Sequence, residues 1–452
     1  METVAENSIN RETITSPANS TKPVVPGRLL VPFVLITSLF ALWGFANAVT
    51  DPMVTAFKKV LELTNIQASL VQLAFYGGYF TMALPAAYCI RKYSYKAGVI
   101  IGLSLYAIGA FLFYPAAITE SFTFFLIGLY ILTFGLAFLE TTANPFILSL
   151  GDQETATRRL NLAQAFNPLG LIGGILVAQN FVLNNLRSTN IDLANQSEEV
   201  KQAIRASDLA VIRDPYLFLG IAVVLILVLI VVTKMPQGRD VGLRSSMLAI
   251  IQSLIQKANY ARGVIAQVFY VGAQIMCWTY IYQYAESIGL DAVTAGSYQF
   301  VAFIIFFLGR FLCTLLLRFF KSPGQLLAIF SFLAIACCLG TIFLPGVYGL
   351  YSLTATSFCM SLMFPTIYGI ALDGLSEDHA KIGAAGLVMA IVGGALMPLL
   401  QGMVLDLGGS QYDDLQIMGL SEMKLSFILP LLCFLYIALY ASASHRRLTK
   451  MS

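Results

Sequence analysis

The sequence predicts an all-α integral membrane protein of twelve transmembrane helices arranged as two six-helix bundles, and three observations carry that expectation. With 58% hydrophobic and 11% charged residues, 452 residues and a mean hydropathy of +0.78 leave too little polar side chain to cover a water-soluble globule. Apolar runs of about 20 residues or more, each long enough to cross a bilayer, recur in the order six, a polar stretch, six. Two carboxylates, Asp51 and Glu140, lie inside such runs, each with an amide four residues away on the same helical face, Asn47 and Asn144. An ionisable side chain at bilayer depth is costly, so it faces a protein interior or a wet cavity and marks a substrate or proton path.

Taken in order, residues 1–28 form a polar leader without an apolar stretch that ends in a small-residue cleavage site, so the first span is expected to be a retained anchor. An N-terminal bundle is expected over 29–233, with spans near 29–57, 67–90, 97–117, 122–148, 160–185 and 215–233. A linker follows at 234–260. The second bundle is expected over 261–443, with spans near 261–285, 293–317, 325–344, 346–372, 382–405 and 425–443, and a tail over 444–452. Placing both termini in the cytoplasm puts most of the 27 Lys and Arg on that side, including Arg91, Lys92, Lys96, Arg318 and Lys321 in short loops, as the positive-inside rule requires. The loop 186–214 is mixed in charge, and its amphipathic part, Ser197 to Leu209, reads as a short surface helix. All seven cysteines fall in apolar segments and read as small buried hydrophobes, so neither a disulfide frame, a metal site nor a cofactor is expected.

The two halves resemble each other. "IRKYSYKAG" (90–98) after the second span matches "LRFFKSPG" (317–324) after the eighth, and "GLIGGIL" in the fifth has its counterpart in "AIVGGAL" of the eleventh. Two parallel repeats of six helices place a substrate site near the midplane, between the halves.

Polar residues form stripes along these spans. In the first, Trp43, Asn47 and Asp51 recur every four residues; in the seventh, the matched position of the other half, Gln274, Trp278, Tyr282 and Glu286 do the same. The chain's two tryptophans therefore occupy equivalent places, well inside their spans. Aromatic faces stack on the apolar faces of sugars while amides and carboxylates bind hydroxyls, which makes these stripes candidate ligands, against a simple packing role. Glu140 and Asn144 in the fourth span, with Asn161, Gln164 and Asn167 spaced by three in the fifth, supply further hydroxyl-binding groups, although interhelical hydrogen bonding is an equal account of Gln164 and Asn167. Both histidines, His379 and His445, lie in segments assigned to the cytoplasmic side, so a carried proton falls to a carboxylate. Arg310 is the one cation inside a span, eight residues before Arg318 and so about 12 Å from the loop. Snorkelling to the cytoplasmic surface is its default reading, with a gate as the alternative.

These residues are also recognisable. "FALWGFANAVTDPMV" (40–54), "FLETTANPFILSLG" (138–151), "RRLNLAQAFNPLG" (158–170), "YVGAQIMCWTYIYQYAE" (270–286), "FFLGRF" (306–311), "FPTIYGIALDGL" (364–375) and "IVGGALMPLLQG" (391–402) resemble the fucose permeases, in the fucose–galactose–hexose branch of the major facilitator superfamily. The resemblance covers almost all of the chain after the leader. It implies a proton-coupled sugar symporter of a bacterial inner membrane, most directly for L-fucose, working as a monomer with a sugar, protons and the bilayer as partners and no nucleic acid. It also implies that Asp51 and Glu140 are the protonatable pair. The sequence departs from the branch pattern at Ala48 and Thr50, where asparagines are usual, and at Phe364, where a tyrosine is usual. Those positions leave glucose, galactose or another hexose as alternative substrates, by symport or uniport. A membrane enzyme would need a nucleophile or a Cys and His cluster that the spans lack, and a non-transporting sugar sensor would need a signalling extension beyond the short tail.

Overall fold

The computed structural model describes residues 23–61, 65–187, 197–236, 246–320, 322–405, 416–417 and 419–451. Its first half contains α1 (Leu30–Val60), α2 (Asn65–Lys92), α3 (Tyr95–Phe111) with its short continuation α4 (Phe113–Ile118), α5 (Phe122–Ser149), α6 (Ala156–Gln164), α7 (Asn167–Val177) and α8 (Glu198–Val232). A separate helix, α9 (Met247–Gln256), precedes the second half. That half consists of α10 (Ala258–Thr279), α11 (Ile281–Ser287), α12 (Ala292–Leu316), α13 (Pro323–Phe343), α14 (Val347–Met360), α15 (Met363–Leu372), α16 (Glu377–Met389), α17 (Gly393–Leu405), α18 (Glu422–Ser426) and α19 (Ile428–Met451). Among the described residues, eleven helical stretches are long and apolar enough to cross a membrane, and twelve when α10 and α11, bent by 42°, count as one span. A two-residue antiparallel ladder, β1 (Gln416–Ile417) with β2 (Leu420–Ser421), is turned by Gly419 at φ +79°.

Local sequence explains where the helices start. Ser94, Ser121, Ser246, Asp291 and Ser322 each accept a hydrogen bond from the backbone N–H three residues on, satisfying donors that a helix leaves orphaned. Proline explains two of the breaks. Pro168 lies in the first turn of α7 and Pro365 in the first turn of α15, where a missing N–H is tolerated, so the fifth and tenth spans are each divided into two helices.

Two sequence expectations change here. The segment from Ser197 to Leu209 is not a separate surface helix: it forms the opening turns of the 35-residue α8, with Glu198 and Glu199 in the first turn and a fully buried Asp208 accepting the Arg187 backbone N–H at 2.8 Å. The stretch between the halves also carries α9, which buries Ile250 and Leu254.

Small residues allow the close approaches that position the polar groups. A Cβ on Gly44 of α1 would fall on the Asn167 carbonyl of α7, and one on Gly170 would fall on the Ala41 carbonyl. These two helices therefore touch backbone to backbone. Arg159 of α6, wholly buried, donates to the carbonyls of Ile147 (2.7 Å) and Leu148 at the end of α5, to the Thr155 hydroxyl (3.0 Å) and to the Val24 carbonyl (3.2 Å). It caps α5 and ties the beginning of the described chain to that corner.

The chain's two described ends lie on one face of the molecule, because Val24 is held by Arg159 while His445 meets Ser322 at 2.8 Å in the short connection before α13. On this terminus face the halves are joined. Arg91 at the end of α2 pairs with Asp378 at the start of α16 at 2.6 Å, both largely buried, and the Gln153 amide reaches Asp373 at 3.5 Å. Just inside, Asn161 donates to Thr366 at 3.3 Å and Thr157 abuts Gly369.

Candidate functional site

Four polar residues form a continuous hydrogen-bonded column through the apolar interior. Glu140, 6% exposed on α5, is followed one turn later by Asn144, whose Nδ2 donates to the Glu140 backbone carbonyl at 2.9 Å. The Asn144 Oδ1 accepts from Gln164 Nε2 of α6 at 2.8 Å, and Gln164 Oε1 accepts from Arg310 Nη1 of α12 at 3.0 Å. The last bond crosses between the halves. Each amide donates at one end and accepts at the other, so the chain of bonds has a fixed direction, from the Arg310 cation to the Glu140 backbone carbonyl.

Arg310 corrects the sequence reading. It does not snorkel: it is 3% exposed, lies over the Phe306 ring at 4.8 Å, and sits beside the Tyr270 hydroxyl, itself bonded to the Met360 carbonyl at 3.2 Å. Snorkelling was expected from the distance to Arg318 alone; a carbonyl-type acceptor from the opposite half and an aromatic face repay the desolvation instead. Its Nε retains no partner in the protein, so the site holds an unspent cationic donor.

The fifth-span amides do not share one face. Gln164 ends α6 while Asn167 begins α7, and the break between them turns Asn167 to donate to the Phe40 carbonyl of α1 at 3.2 Å. Asn167 thus braces the helix carrying Trp43 and Asn47, whereas Gln164 belongs to the column. On α1, Trp43 is 4% exposed with its ring 4.2 Å from that of Phe40, and Asn47 donates to the Trp43 carbonyl at 2.9 Å and lies beside the Tyr79 hydroxyl of α2. Asp51 follows one turn later on the same helix; its side chain lies outside the described residues.

The seventh-span stripe is also divided, by the bend at Tyr280. Gln274 is half-buried, and Trp278 is 8% exposed, its indole N–H donating to Ser357 at 3.1 Å and its ring edge-packed against Phe303 and Phe306. Tyr282, beyond the bend, is 39% exposed near Gly296 of α12, and Glu286 is exposed as well. A spacing of four keeps residues on one face only while the helix axis is straight. Tyr282 therefore stands apart from the column.

Phe306, Ser357, Tyr79 and Tyr368 were not singled out from the sequence, since isolated phenols, hydroxyls and rings in apolar helices give no periodic signal. A groove of about 970 Å³ lined by Ala41, Phe45, Gly173, Val177, Phe218 and Ala222 is a different feature. Ala41 and Phe45 lie on the opposite side of α1 from Trp43 and Asn47.

Residues 33–398 match the family model of the Major Facilitator Superfamily. The chain belongs to the major facilitator superfamily. Within it, the chain is 56% identical over 427 residues to the L-fucose-proton symporter of Haemophilus influenzae, covering 92% of this chain and 97% of that protein. It is 38% identical over 419 residues to the L-fucose-proton symporter of Escherichia coli, covering 91% and 92%. The crystal structure of FucP, a superfamily transporter in the outward conformation, superposes with a TM-score of 0.82 at 37% identity, over 92% of this chain and 99% of that one. The resemblance stated from the motifs and the two-bundle helical membrane fold both stand. Membership makes this superfamily protein a multi-pass transporter and not an enzyme.

Proposed function

We propose that this protein takes up L-fucose together with protons by alternating access, as a monomer in a bacterial inner membrane with both termini in the cytoplasm. The observation that carries the reading is the column Glu140–Asn144–Gln164–Arg310, which brings a buried carboxylate, two amides and a buried cation to the boundary between the halves. Such a set supplies acceptors and donors for sugar hydroxyls and a carrier for a proton. The names of the relatives at 56% and 38% identity support the substrate.

In this reading the terminus face is cytoplasmic. The Arg91–Asp378, Gln153–Asp373 and Asn161–Thr366 contacts then close the inner gate, and the described conformation faces outward. Sugar entering from outside meets Trp43 and Asn47 from the first half and Gln274 and Trp278 from the second. Its hydroxyls compete for Gln164 and Asn144, so that binding loosens the Gln164–Arg310 bond and exchanges a protein contact between halves for one through the sugar. Asp51 and Glu140 take the protons, and neutralising them removes the charge that opposes closure of the site on its cargo.

The test is uptake into proteoliposomes with an imposed pH gradient, beside sugar counterflow without one. Parent protein accumulates L-fucose when the outside is acid. Asp51→Asn, which mimics the protonated form, retains counterflow and loses accumulation. Gradient-driven accumulation in Asp51→Asn would remove that carboxylate from the mechanism, and a parent indifferent to the gradient would be a uniporter. Running the same assay with galactose and glucose measures the alternative substrates that Phe364, packed between Tyr270 and Tyr368, leaves open.

A further inference from the structure

Away from the column, α1, α7 and α8 enclose the groove of about 970 Å³, and its length and polarity follow those of one leaflet of a bilayer. Helix α8 sets the scale. Its end lies on the terminus face, because Lys96, at the start of α3 and close after Arg91, donates to the Val231 and Thr233 carbonyls at 2.8 and 2.9 Å. Its start therefore lies on the opposite face. The groove follows α8 from Ser207 to Ala222, about 22 Å at the helical rise. Ala222 is about 15 Å along the helix from Val232, half of the about 30 Å hydrocarbon core, so the groove ends near the midplane and its mouth lies in the headgroup layer opposite the terminus face.

Polarity runs along the same axis. The polar lining residues, Asn185, Arg187, Ser207 and Asp214, all lie towards the mouth. Asp214 is taken by the Arg213 guanidinium, at 2.8 Å from Nε and 2.6 Å from Nη2. Arg187 is not matched in this way: its side chain is exposed, and among the described residues nothing hydrogen-bonds or pairs with its guanidinium. Its backbone N–H is fixed by the buried Asp208 at 2.8 Å, which holds the cation at the mouth. Below Asp214 the lining is apolar, with Phe45, Gly173, Val177, Leu219 and Ala222. Phe181 and Phe218, 66% and 72% exposed, stand at the rim as side chains in contact with acyl chains do. The floor is open because Gly173 carries no side chain. A Cβ there would meet only the Phe45 ring, at 3.8 Å, whereas one on Gly170 or Gly174 would strike the backbone of α1.

We propose that this groove holds one phospholipid of the leaflet opposite the terminus face, with an acyl chain along the Gly173 floor and the phosphate paired with Arg187. A slot charged at the interface and apolar down to the midplane fits a lipid, whereas a sugar would need hydroxyl partners along its length. The lipid fills the space behind the α1 face that carries Trp43 and Asn47, and so joins α8 to the α1–α7 pair from the side away from the column.

The test is native mass spectrometry of delipidated protein titrated with palmitoyl-oleoyl phosphatidylethanolamine and with the matching diacylglycerol, which lacks the phosphate. The parent is expected to retain one phospholipid and to bind the diacylglycerol about five-fold more weakly, the upper range for an exposed ion pair. Arg187→Gln keeps the backbone bond to Asp208 and is expected to bind both at the diacylglycerol level. Gly173→Leu directs its side chain into the groove and is expected to lose the site for either ligand; Ala222→Phe blocks the deep end independently and is expected to do the same. Phospholipid should raise the melting temperature of the parent and leave that of Gly173→Leu unchanged, because only a ligand bound to the folded state stabilises it. Retention of the lipid at the parent's affinity in both groove-filling variants overturns the site. So does a parent that binds a graded series of lipids with no single tight one, which would make the groove ordinary lipid-facing surface. Equal affinity of the parent for phospholipid and diacylglycerol, or an unchanged preference in Arg187→Gln, overturns the phosphate contact.

Discussion

The guanidinium of Arg310 and the side-chain carbonyl of Gln164 meet at 3.0 Å across the boundary between the two halves, both residues being buried. Hydrogen bonds to a buried charge contribute about 1.5–3 kcal/mol, so this contact is large enough to set the balance between two transporter conformations. Arg310→Met is expected to lower L-fucose counterflow by 10-fold or more, and Gln164→Leu to do the same. Arg310→Lys, which keeps charge but loses the planar fork, falls between. Counterflow at the parent's rate in Arg310→Met would reduce the pair to packing.

Trp43 packs against Phe40 and borders Asn47, which makes it a platform for a sugar face. Trp43→Ala is expected to weaken L-fucose binding by about 1–2 kcal/mol, with Trp43→Phe losing less because a ring face remains. Calorimetric titration of purified protein, with a melting curve as the control for folding, measures both. Trp278→Phe adds a separate effect, since it also strands the Ser357 hydroxyl.

The Arg91–Asp378 pair latches the terminus face. Asp378→Asn withdraws the charge from a largely buried partner and should shift the population toward the conformation open on that side. A cysteine at Thr157, which abuts Gly369 across the boundary, should then be alkylated several-fold faster in inverted vesicles. Exchanging the charges, Arg91→Asp with Asp378→Arg, should restore slow labelling. Unchanged rates in Asp378→Asn would mean that the remaining contacts on this face suffice.

Orientation has its own measurement. Glu199 at the start of α8 and Leu248 in α9 are both exposed. In intact cells an impermeant thiol reagent should label Glu199→Cys and spare Leu248→Cys, as the distribution of Lys and Arg requires. The reverse pattern would invert the assignment of inner and outer gates.

The sequence by itself determined which segments enter the membrane and which polar residues accompany them. Length and apolarity mark a span whatever it packs against, and Asp51, Glu140 and Arg310 stand out because charge is rare at that depth. The Glu140–Asn144 spacing and the placement of Trp43 above Asn47 were legible because each pair lies within an unbroken helix. The tertiary structure decided the rest. Periodicity describes faces relative to one local axis, so the break before Asn167 and the bend at Tyr280 detached Asn167 and Tyr282 from stripes that looked continuous. No local pattern records what the opposite half presents. Arg310 found Gln164 instead of the membrane surface, because the energy of a buried polar group is settled by partners more than a hundred residues away.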